Sequence, residues 1–163
     1  MGFAYRYWHG PAVGMVVSEV WQGMGARIFL SFGKLSDHVL PSGKPGHPRG
    51  EWQFINAHGL TDWDLTLGDR ILAASDSPFA IRESRLRRLQ GRRLLSVQID
   101  AQSLSTQLSF TRQLVLKTKA MPHTRERLPH WLLLPSGKGP AALILAGTGS
   151  RWHGKTGSRI VWG

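Results

Sequence analysis

The chain has 163 residues, of which 41% are hydrophobic and seven are Trp, a composition that predicts one folded domain with a substantial core. It has no Cys, which excludes disulfides, thiolate catalysis and Cys-based zinc sites and is compatible with a cytoplasmic protein. The net charge is +11, but residues 1–80 hold six Lys or Arg against seven Asp or Glu, whereas residues 81–163 hold fifteen against three. This asymmetry favours a polyanionic partner.

The first half of the chain alternates apolar and polar residues in short runs, which is typical of antiparallel strands. Ile28, Leu30 and Phe32 are predicted to share one face of such a strand. Residues 41–50 contain three Pro and three Gly, so they are predicted to form a loop. The predicted strands of this half cover residues 15–21, 27–32, 51–57, 63–67 and 70–74.

Residues 78–90 are predicted to form one short helix. Ser77 would accept a hydrogen bond from an unpaired backbone N–H, and Pro78 suits the first helical position. Gly91 suits the left-handed conformation that ends many helices. The predicted apolar stripe of the helix consists of Phe79, Leu86 and Leu89.

After Gly91 the apolar residues recur at every second position. Leu95, Val97 and Ile99 alternate with polar residues, which predicts a half-buried strand. Residues 106–110 and 114–116 then predict a hairpin joined by residues 111–113, whose lack of Gly or Asn leaves the turn type open. Two apolar runs, residues 131–134 and 141–146, predict the last strands.

These elements predict a single α+β domain over residues 1–146, in which antiparallel strands predominate. The strands are expected to form a sandwich or a strongly curved sheet, with the helix near residues 78–90 closing one end. Residues 147–163 hold five Gly and two Trp without periodicity. They are expected to form a poorly ordered tail, or one that Trp152 and Trp162 hold in place.

Residues 149–156 of that tail match the nucleotide-binding pattern G-x-x-x-x-G-K-T, and an apolar run precedes them. A phosphate-binding loop must be followed by a helix whose N-terminus points at the phosphates. Here Gly157 follows at once and only seven residues remain after Thr156. We therefore interpret the match as chance, and no cofactor is predicted.

The basic second half contains a cluster of six arginines. Guanidinium groups pair well with phosphates, so the cluster is a candidate polyanion-binding site. The alternative is a solvated helix face, because cations near the C-terminus of a helix interact favourably with the helix dipole. The six candidates are Arg82, Arg85, Arg87, Arg88, Arg92 and Arg93.

Catalytic and metal-binding patterns are weak in this sequence. The seven His are scattered, with no two at i,i+4 and no H-E-x-x-H motif, so no metal site is predicted. No G-x-S-x-G motif occurs. Asp62 and Asp64 could serve acid–base chemistry, but around Trp63 they are better interpreted as the solvent face of a strand, and no catalytic residue is predicted.

Six of the seven Trp residues fall into two groups. Trp52, Trp63 and Trp131 lie in predicted strands and are assigned to the core. Three others lie in irregular ends of the chain and are candidates for an exposed surface that contacts a partner. These candidates are Trp8, Trp152 and Trp162.

The order of several short runs carries a resemblance. R-I-F-L-S-F-G is followed by G-E-W-Q-F, D-W-D-L and R-I-L-A-A-S-D-S, and later by L-Q-G-R-R-L-L-S-V-Q-I and H-W-L-L-L-P-S-G. Over roughly residues 25–137 the chain resembles a group of small bacterial domains of unknown function, with spaced Trp and Gly residues. The resemblance implies a strand-rich fold with one short helix, and it brings no catalytic residue.

Three functions follow as hypotheses. The first is a non-catalytic, cytoplasmic bacterial protein that binds a protein partner, without membrane association, which predicts a contiguous exposed apolar or aromatic patch. The second is nucleic-acid or other polyanion binding through the Arg82–Arg93 face, which predicts a continuous positive surface and steep salt dependence. The third is an enzyme whose cleft recruits Asp62, Asp64 or a His, which predicts a deep pocket with convergent polar groups.

Overall fold

The computed structural model describes residues 5–8, 10–56, 62–100, 105–119, 131–135, 142–145 and 151–153. These residues form twelve strands, one α-helix and two short 3-10 turns. The helix α1 spans Phe79–Leu86, and the 3-10 turns span Arg87–Leu89 and Thr111–Gln113. The strands are β1 (Tyr5–Trp8), β2 (Val17–Gln22), β3 (Ile28–Phe32), β4 (Trp52–Asn56), β5 (Asp62–Leu67), β6 (Arg70–Ala74), β7 (Leu94–Asp100), β8 (Thr106–Phe110), β9 (Leu114–Lys119), β10 (Trp131–Pro135), β11 (Ala142–Leu145) and β12 (Arg151–His153).

The strands form two antiparallel sheets of six strands each. The first sheet has the order β1-β7-β8-β9-β5-β6, and the second has the order β12-β11-β10-β4-β3-β2. Neighbours within each sheet are antiparallel throughout. The predicted fold class, an α+β protein with mostly antiparallel strands and one short helix, is confirmed.

The two sheets contribute to one hydrophobic core. From the second sheet, Ile28, Leu30 and Phe32 are fully buried, as the alternation of β3 predicts. From the first sheet, Trp63 and Leu65 of β5 are buried in the same core. Burial of the apolar face of each sheet against the other is the main contribution to stability in such a fold.

A hydrogen-bonded seam links the sheets at the backbone carbonyl of Ala26, in the turn between β2 and β3. The indole Nε1 of Trp63 donates to this oxygen at 2.9 Å, and Nδ2 of Asn56 donates to it at 3.0 Å. Oδ1 of the fully buried Asn56 also accepts the N–H of Ile28 at 2.6 Å. Because these buried polar groups are paired, the seam avoids the cost of unsatisfied polar atoms.

The helix closes one side of the molecule, between the two sheets. It contacts β6, an edge strand of the first sheet, and β2, an edge strand of the second. Leu86 and Leu89 are buried, as the predicted stripe requires. Phe79, the third residue of that stripe, is 53% exposed, so its assignment to the buried face is wrong. It occupies the first helical position, at the rim of a cleft between α1 and β2.

The start of the helix also differs from the prediction. Pro78, not Ser77, is the capping residue, and no side chain makes a capping hydrogen bond. The hydroxyl of Ser77 instead accepts the N–H of Ala74 at 3.0 Å. Ser side chains readily bond nearby backbone in turns, and here that local bond replaces the helix cap. Gly91 has φ +81°, in agreement with the predicted left-handed stop.

A β-bulge changes one predicted face of β7. The register with β8 shifts between Leu94 and Ser96, so Leu94 and Val97 are buried while Leu95 is 54% exposed. The prediction that Leu95 shares the buried face with Val97 is therefore wrong. A bulge inserts one residue into one strand, which moves the preceding side chains to the opposite face.

The turn between β8 and β9 has a form that its residue types do not indicate. Arg112 and Gln113 have φ of 60° and 61°, so two consecutive non-Gly residues have left-handed φ in the three-residue connection between β8 and β9. Left-handed positions in hairpin turns usually take Gly or Asn, and the lack of both left the turn type open. Thr106, Leu108 and Phe110 are buried as the alternation of β8 predicts.

Three residues of the predicted tail, Arg151–His153, form β12, which pairs with β11. Residues 147–150 and 154–163 lie outside the described residues, so the proposed domain end at residue 146 stays a prediction. The strand also includes three positions of the G-x-x-x-x-G-K-T match.

Candidate functional site

A cleft of about 490 Å³ separates the edge strand β2 from one face of α1 and the turn that follows it. Four consecutive residues of β2, from Glu19 to Gln22, line one wall. The opposite wall is a single helical face, because its residues recur at intervals of three and four. These are Phe79, Glu83, Leu86, Arg87 and Gln90.

The main chain of β2 turns its unpaired edge toward this cleft. In an antiparallel pair, alternate residues direct both N–H and C=O at the neighbouring strand, and the residues between them direct both groups away. Gly23 donates its N–H to the carbonyl of Arg27 at 2.9 Å, so Gly23 and Trp21 face β3. Val20 and Gln22 therefore direct their backbone groups to the open edge, where the described residues provide no backbone partner.

Two glutamine side chains bridge the cleft at its ends. Nε2 of Gln90 donates to the carbonyl of Ser18 at 3.0 Å, and Nε2 of Gln22 donates to the carbonyl of Phe79 at 3.4 Å. Both bonds are solvent-exposed. Beyond Ser18, the N–H of Val17 donates to the carbonyl of Arg92 at 2.7 Å, which ends the open edge on that side. The open part of β2 is thus the segment between the two bridges.

Several polar atoms of the cleft are buried without a hydrogen-bond partner in the described part of the chain. They are Oε2 of Glu19, Nε1 of Trp21 and Oε1 of Gln22. A buried polar atom without a partner typically costs about 1–3 kcal/mol. Such a concentration of unpaired atoms in one cleft is typical of a site whose hydrogen bonds are completed by a ligand or by water.

An aromatic stack forms the floor between this cleft and a second one. The ring of Trp21 lies 3.7 Å from that of Phe29 and 4.2 Å from that of His47, and both pairs are nearly parallel. Nδ1 of His47 lies 3.7 Å from Oε1 of Glu19. His47 belongs to the predicted Pro/Gly loop, so the stack fixes this loop against the outer face of the second sheet.

The second cleft, of about 610 Å³, lies beneath that loop. It shares Trp21 and His47 with the first cleft, and it is otherwise lined by loop residues such as Leu40 and by Ile55 of β4. Leu40 and Val39 are partly exposed at 41% and 64%. The two clefts therefore form one continuous surface with exposed apolar side chains on the loop and on the helix.

The six predicted arginines are divided between different parts of the molecule. Arg82 lies with its guanidinium carbon 5.7 Å from the centre of the Phe79 ring, and its Nη1 donates to the carbonyl of Gly25 at 3.1 Å. Arg87 lines the cleft and donates to Oε1 of Glu83 at 3.1 Å. Arg85 is half-exposed, with no hydrogen bond or ion pair to another described side chain.

The other three arginines, Arg88, Arg92 and Arg93, follow α1 in the chain. Nε of Arg92 donates to the carbonyl of Arg88 at 3.3 Å, and the guanidinium of Arg93 donates to the carbonyl of Gly14. The N–H of Arg93 donates to Oγ1 of Thr111 at 3.1 Å. The exposed Arg112 is the next residue in the hairpin turn, so its backbone lies close to that of Arg93, which sequence spacing did not indicate.

The predicted aromatic contact residues are only partly described. Trp8 lies in β1, opposite Val97, and Trp152 lies in β12, opposite Leu143, but their side chains and the whole of Trp162 lie outside the described residues. Among the Trp assigned to the core, Trp63 is buried and Trp52 is half-buried. The Trp131 side chain is likewise outside the described part.

The acidic candidates for catalysis both lie on strand β5. Asp62 is exposed, and its Oδ1 accepts the hydroxyl of Ser75 at 3.3 Å. Asp64 stands opposite Lys117 of β9 on the outer face of the first sheet, as predicted for the solvent face of a strand. Among the described residues no three His, Asp or Glu side chains are grouped so that they could hold a metal ion.

Sequence reasoning missed the principal residues of the cleft. Trp21, Glu19 and His47 belong to a strand and to a loop that are far apart in the chain, and no motif links them. The one available signal was the aromatic residue Trp21 at the end of the predicted strand of residues 15–21. Their assembly depends on how the loop folds back over the sheet, which is a tertiary property.

A scan of protein-family models and searches of curated proteins and of solved structures found no match to this chain. The resemblance to small bacterial domains therefore stays a prediction. In the part of the chain that the structure describes, no helix has the length and apolar character needed to cross a membrane.

Proposed function

We propose that this protein is a non-catalytic binding domain of the bacterial cytoplasm, and that it holds a protein partner in the cleft between β2 and α1. The observation that carries the proposal is the unpaired edge of β2 exposed along a cleft of about 490 Å³. Clefts that bind ligands typically have volumes of about 300–1,000 Å³. An open strand edge beside a helix is also a ready template for pairing with another chain.

Exposed apolar side chains on the rim support the same proposal. Phe79 is 53% exposed at the start of α1, and Met24 in the nearby β2–β3 turn is 91% exposed. Gly25 of this turn accepts the hydrogen bond from Arg82, so the turn lies close to the first part of the helix. Aromatic residues in partly formed clefts are frequent anchors of protein interfaces.

Selection of binders from a displayed random-peptide library tests this proposal. Selected peptides are expected to bind Phe79→Ala roughly tenfold more weakly than the wild type, because the variant removes an aromatic anchor. Leu95→Ala is the matched control, since Leu95 is 54% exposed and lies on the first sheet. A library that yields no binder, or peptides that bind both variants equally, would contradict the proposed site.

A second candidate function is polyanion binding at the arginine end, defined by Arg88, Arg92, Arg93 and Arg112. The specific support is the placement of Arg112 beside Arg93 by the hydrogen bond to Thr111. Guanidinium groups retain further donors when one of them bonds a carbonyl, so Arg92 and Arg93 can still pair with phosphates. We therefore propose this end as the part of the predicted Arg82–Arg93 face that binds a polyanion, extended by Arg112.

A heparin and RNA binding series over salt concentration tests this second function. Arg88→Gln and Arg112→Gln are each expected to reduce the slope of log affinity against log salt by about 1. Arg87→Gln is the control, because Arg87 is already paired with Glu83. Equal effects of all three substitutions would indicate diffuse surface charge and would exclude a site at this end.

The enzymatic hypothesis receives less support from the same observations. The neighbours of Asp62 and Asp64, which are Ser75 and Lys117, suit a solvated sheet surface better than acid–base chemistry. The hydroxyl of Ser18, near the cleft, donates to the carbonyl of Gly33. We therefore propose binding rather than catalysis as the role of the cleft.

A further inference from the structure

We infer that the partner enters the cleft as an extended peptide segment, which pairs with the open edge of β2 and adds a seventh strand to the second sheet. This inference rests on the proposed function, which names the cleft but not the mode of binding. Strand addition supplies affinity through main-chain hydrogen bonds and specificity through alternate side chains.

The main-chain groups of β2 provide the first argument. Val20 and Gln22 each direct one N–H and one C=O toward the cleft, and no backbone of the described residues pairs with them. Up to four hydrogen bonds are therefore available to an added strand. Trp21 lies between these two residues and Glu19 precedes them, and the backbone groups of both bond β3 instead. A partner that bound through side chains alone would make no hydrogen bonds to these backbone groups, whereas an added strand would bond each of them.

The two glutamine bridges provide the second argument. The amide of Gln90 donates to the carbonyl of Ser18 as a backbone N–H of a neighbouring strand would. Gln22 makes a corresponding bond across the cleft to Phe79. Both bonds are exposed and can be exchanged for main-chain bonds of a peptide, so the bridges do not oppose its entry strongly.

The side chains of the cleft define the chemistry of the peptide. Val20 and Leu86 form an apolar inner side, which suits an apolar residue of the added strand. Glu19 lies on the outer side, where its Oε2 has no hydrogen-bond partner among the described residues. A Lys or Arg of the peptide on that side would pair with this carboxylate, so the expected segment alternates apolar and basic residues.

Backbone N-methylation of a selected peptide tests strand addition directly. Methylation at successive positions is expected to weaken binding at least tenfold at every second residue and to have little effect at the residues between, because only alternate N–H groups face β2. A peptide that depends on Phe79 but shows no period of two would overturn strand addition while leaving the proposed function intact. A peptide that does not depend on Phe79 would overturn both.

Amide hydrogen exchange, followed by NMR, provides a test within the protein. The amides of Val20 and Gln22 are expected to exchange rapidly in the free protein and to become at least tenfold more protected when the peptide binds. The amides of Glu19 and Trp21 are the internal control and should be protected in both states, since they bond β3.

The same measurement distinguishes other occupants of the edge. Protection of Val20 and Gln22 in the free protein that grows with protein concentration would identify a second copy of the chain and overturn the inference. Protection in the free protein that is independent of concentration would identify a segment of the same chain, with the same consequence. Unchanged exchange upon peptide binding would also exclude strand addition.

Discussion

The turn between β2 and β3 lies between two regions that differ in whether their buried polar atoms have hydrogen-bond partners among the described residues. On the core side, the carbonyl of Ala26 accepts hydrogen bonds from Trp63 and Asn56, and Asn56 also accepts the N–H of Ile28. On the edge side, where β2 ends at Gln22, the cleft contains buried oxygen and nitrogen atoms without partners in the described residues. Among the described residues, the hydrogen bonds of buried polar groups are therefore complete at the seam and incomplete a few residues away.

This difference predicts that polar groups within one hairpin contribute differently to stability. Buried networks whose members are all paired specify a unique packing, whereas unpaired groups reduce the stability of the free protein. A cost of this kind is retained where the same groups bind a partner. The comparison therefore predicts that polar side chains of the seam stabilise the fold and that those of the cleft do not.

Replacement of Asn56 by Ala is expected to give the largest effect. The variant leaves the buried N–H of Ile28 without its acceptor and removes one donor to Ala26, so we expect the free energy of unfolding to fall by about 3 kcal/mol. Urea denaturation measures this change. Leu95→Ala, at an exposed site, is the control, and an Asn56→Ala loss as small as the loss in that control would show that the seam does not stabilise the protein.

Replacement of Trp63 by Phe is expected to have a smaller effect of the same sign. The change removes the indole N–H that bonds Ala26 and leaves a small cavity in the core, so the free energy of unfolding should fall by about 2 kcal/mol. Trp52→Phe alters the same atoms at a half-buried position and should cost less. Equal losses in the two variants, measured by urea denaturation, would mean that the bond to Ala26 contributes nothing specific.

The elements that the sequence predicts well are those that depend on local pattern. The alternation in β3, β5 and β8 correctly predicts their buried faces, since one face of each strand must pack in the core. Gly91 likewise marks the end of the helical segment because its left-handed conformation favours Gly. In these cases the physical cause lies within a few residues of the observed feature.

The features that the sequence does not predict depend on competing or distant contacts. Leu95 is exposed because a bulge shifts the register with β8, and nothing in the alternation of β7 marks that position. Ser77 bonds Ala74 in preference to the helix. The tight turn at Arg112 and Gln113 takes left-handed conformations that non-Gly residues rarely adopt, so residue types gave no indication of it.

The candidate site depends even more on contacts between distant segments, so the sequence predicts it less well than the fold. The arginine run of residues 82–93 is evident in the sequence, but Arg82, Arg87 and Arg93 bond different parts of the fold. This follows because α1 ends at Leu86 and the chain then continues into β7. The cleft requires β2, α1 and the loop that carries His47 to come together. Side-chain pattern within any one of these segments cannot show which strand lies at the edge of a sheet, because that depends on how all the strands pair.

Replacement of Gln22 by Met should change stability least and in the opposite direction. Met has a similar shape and removes the buried Oε1 that has no partner in the described part of the cleft, at the cost of one long, exposed hydrogen bond to Phe79. We expect the free energy of unfolding to rise by about 1 kcal/mol in urea denaturation. Gln90→Met is the matched control, because it removes the other glutamine bridge without relieving an unpaired atom, and it should lower stability slightly. If both substitutions lower stability alike, the unpaired oxygen of Gln22 has no cost, and the contrast between the seam and the cleft does not hold.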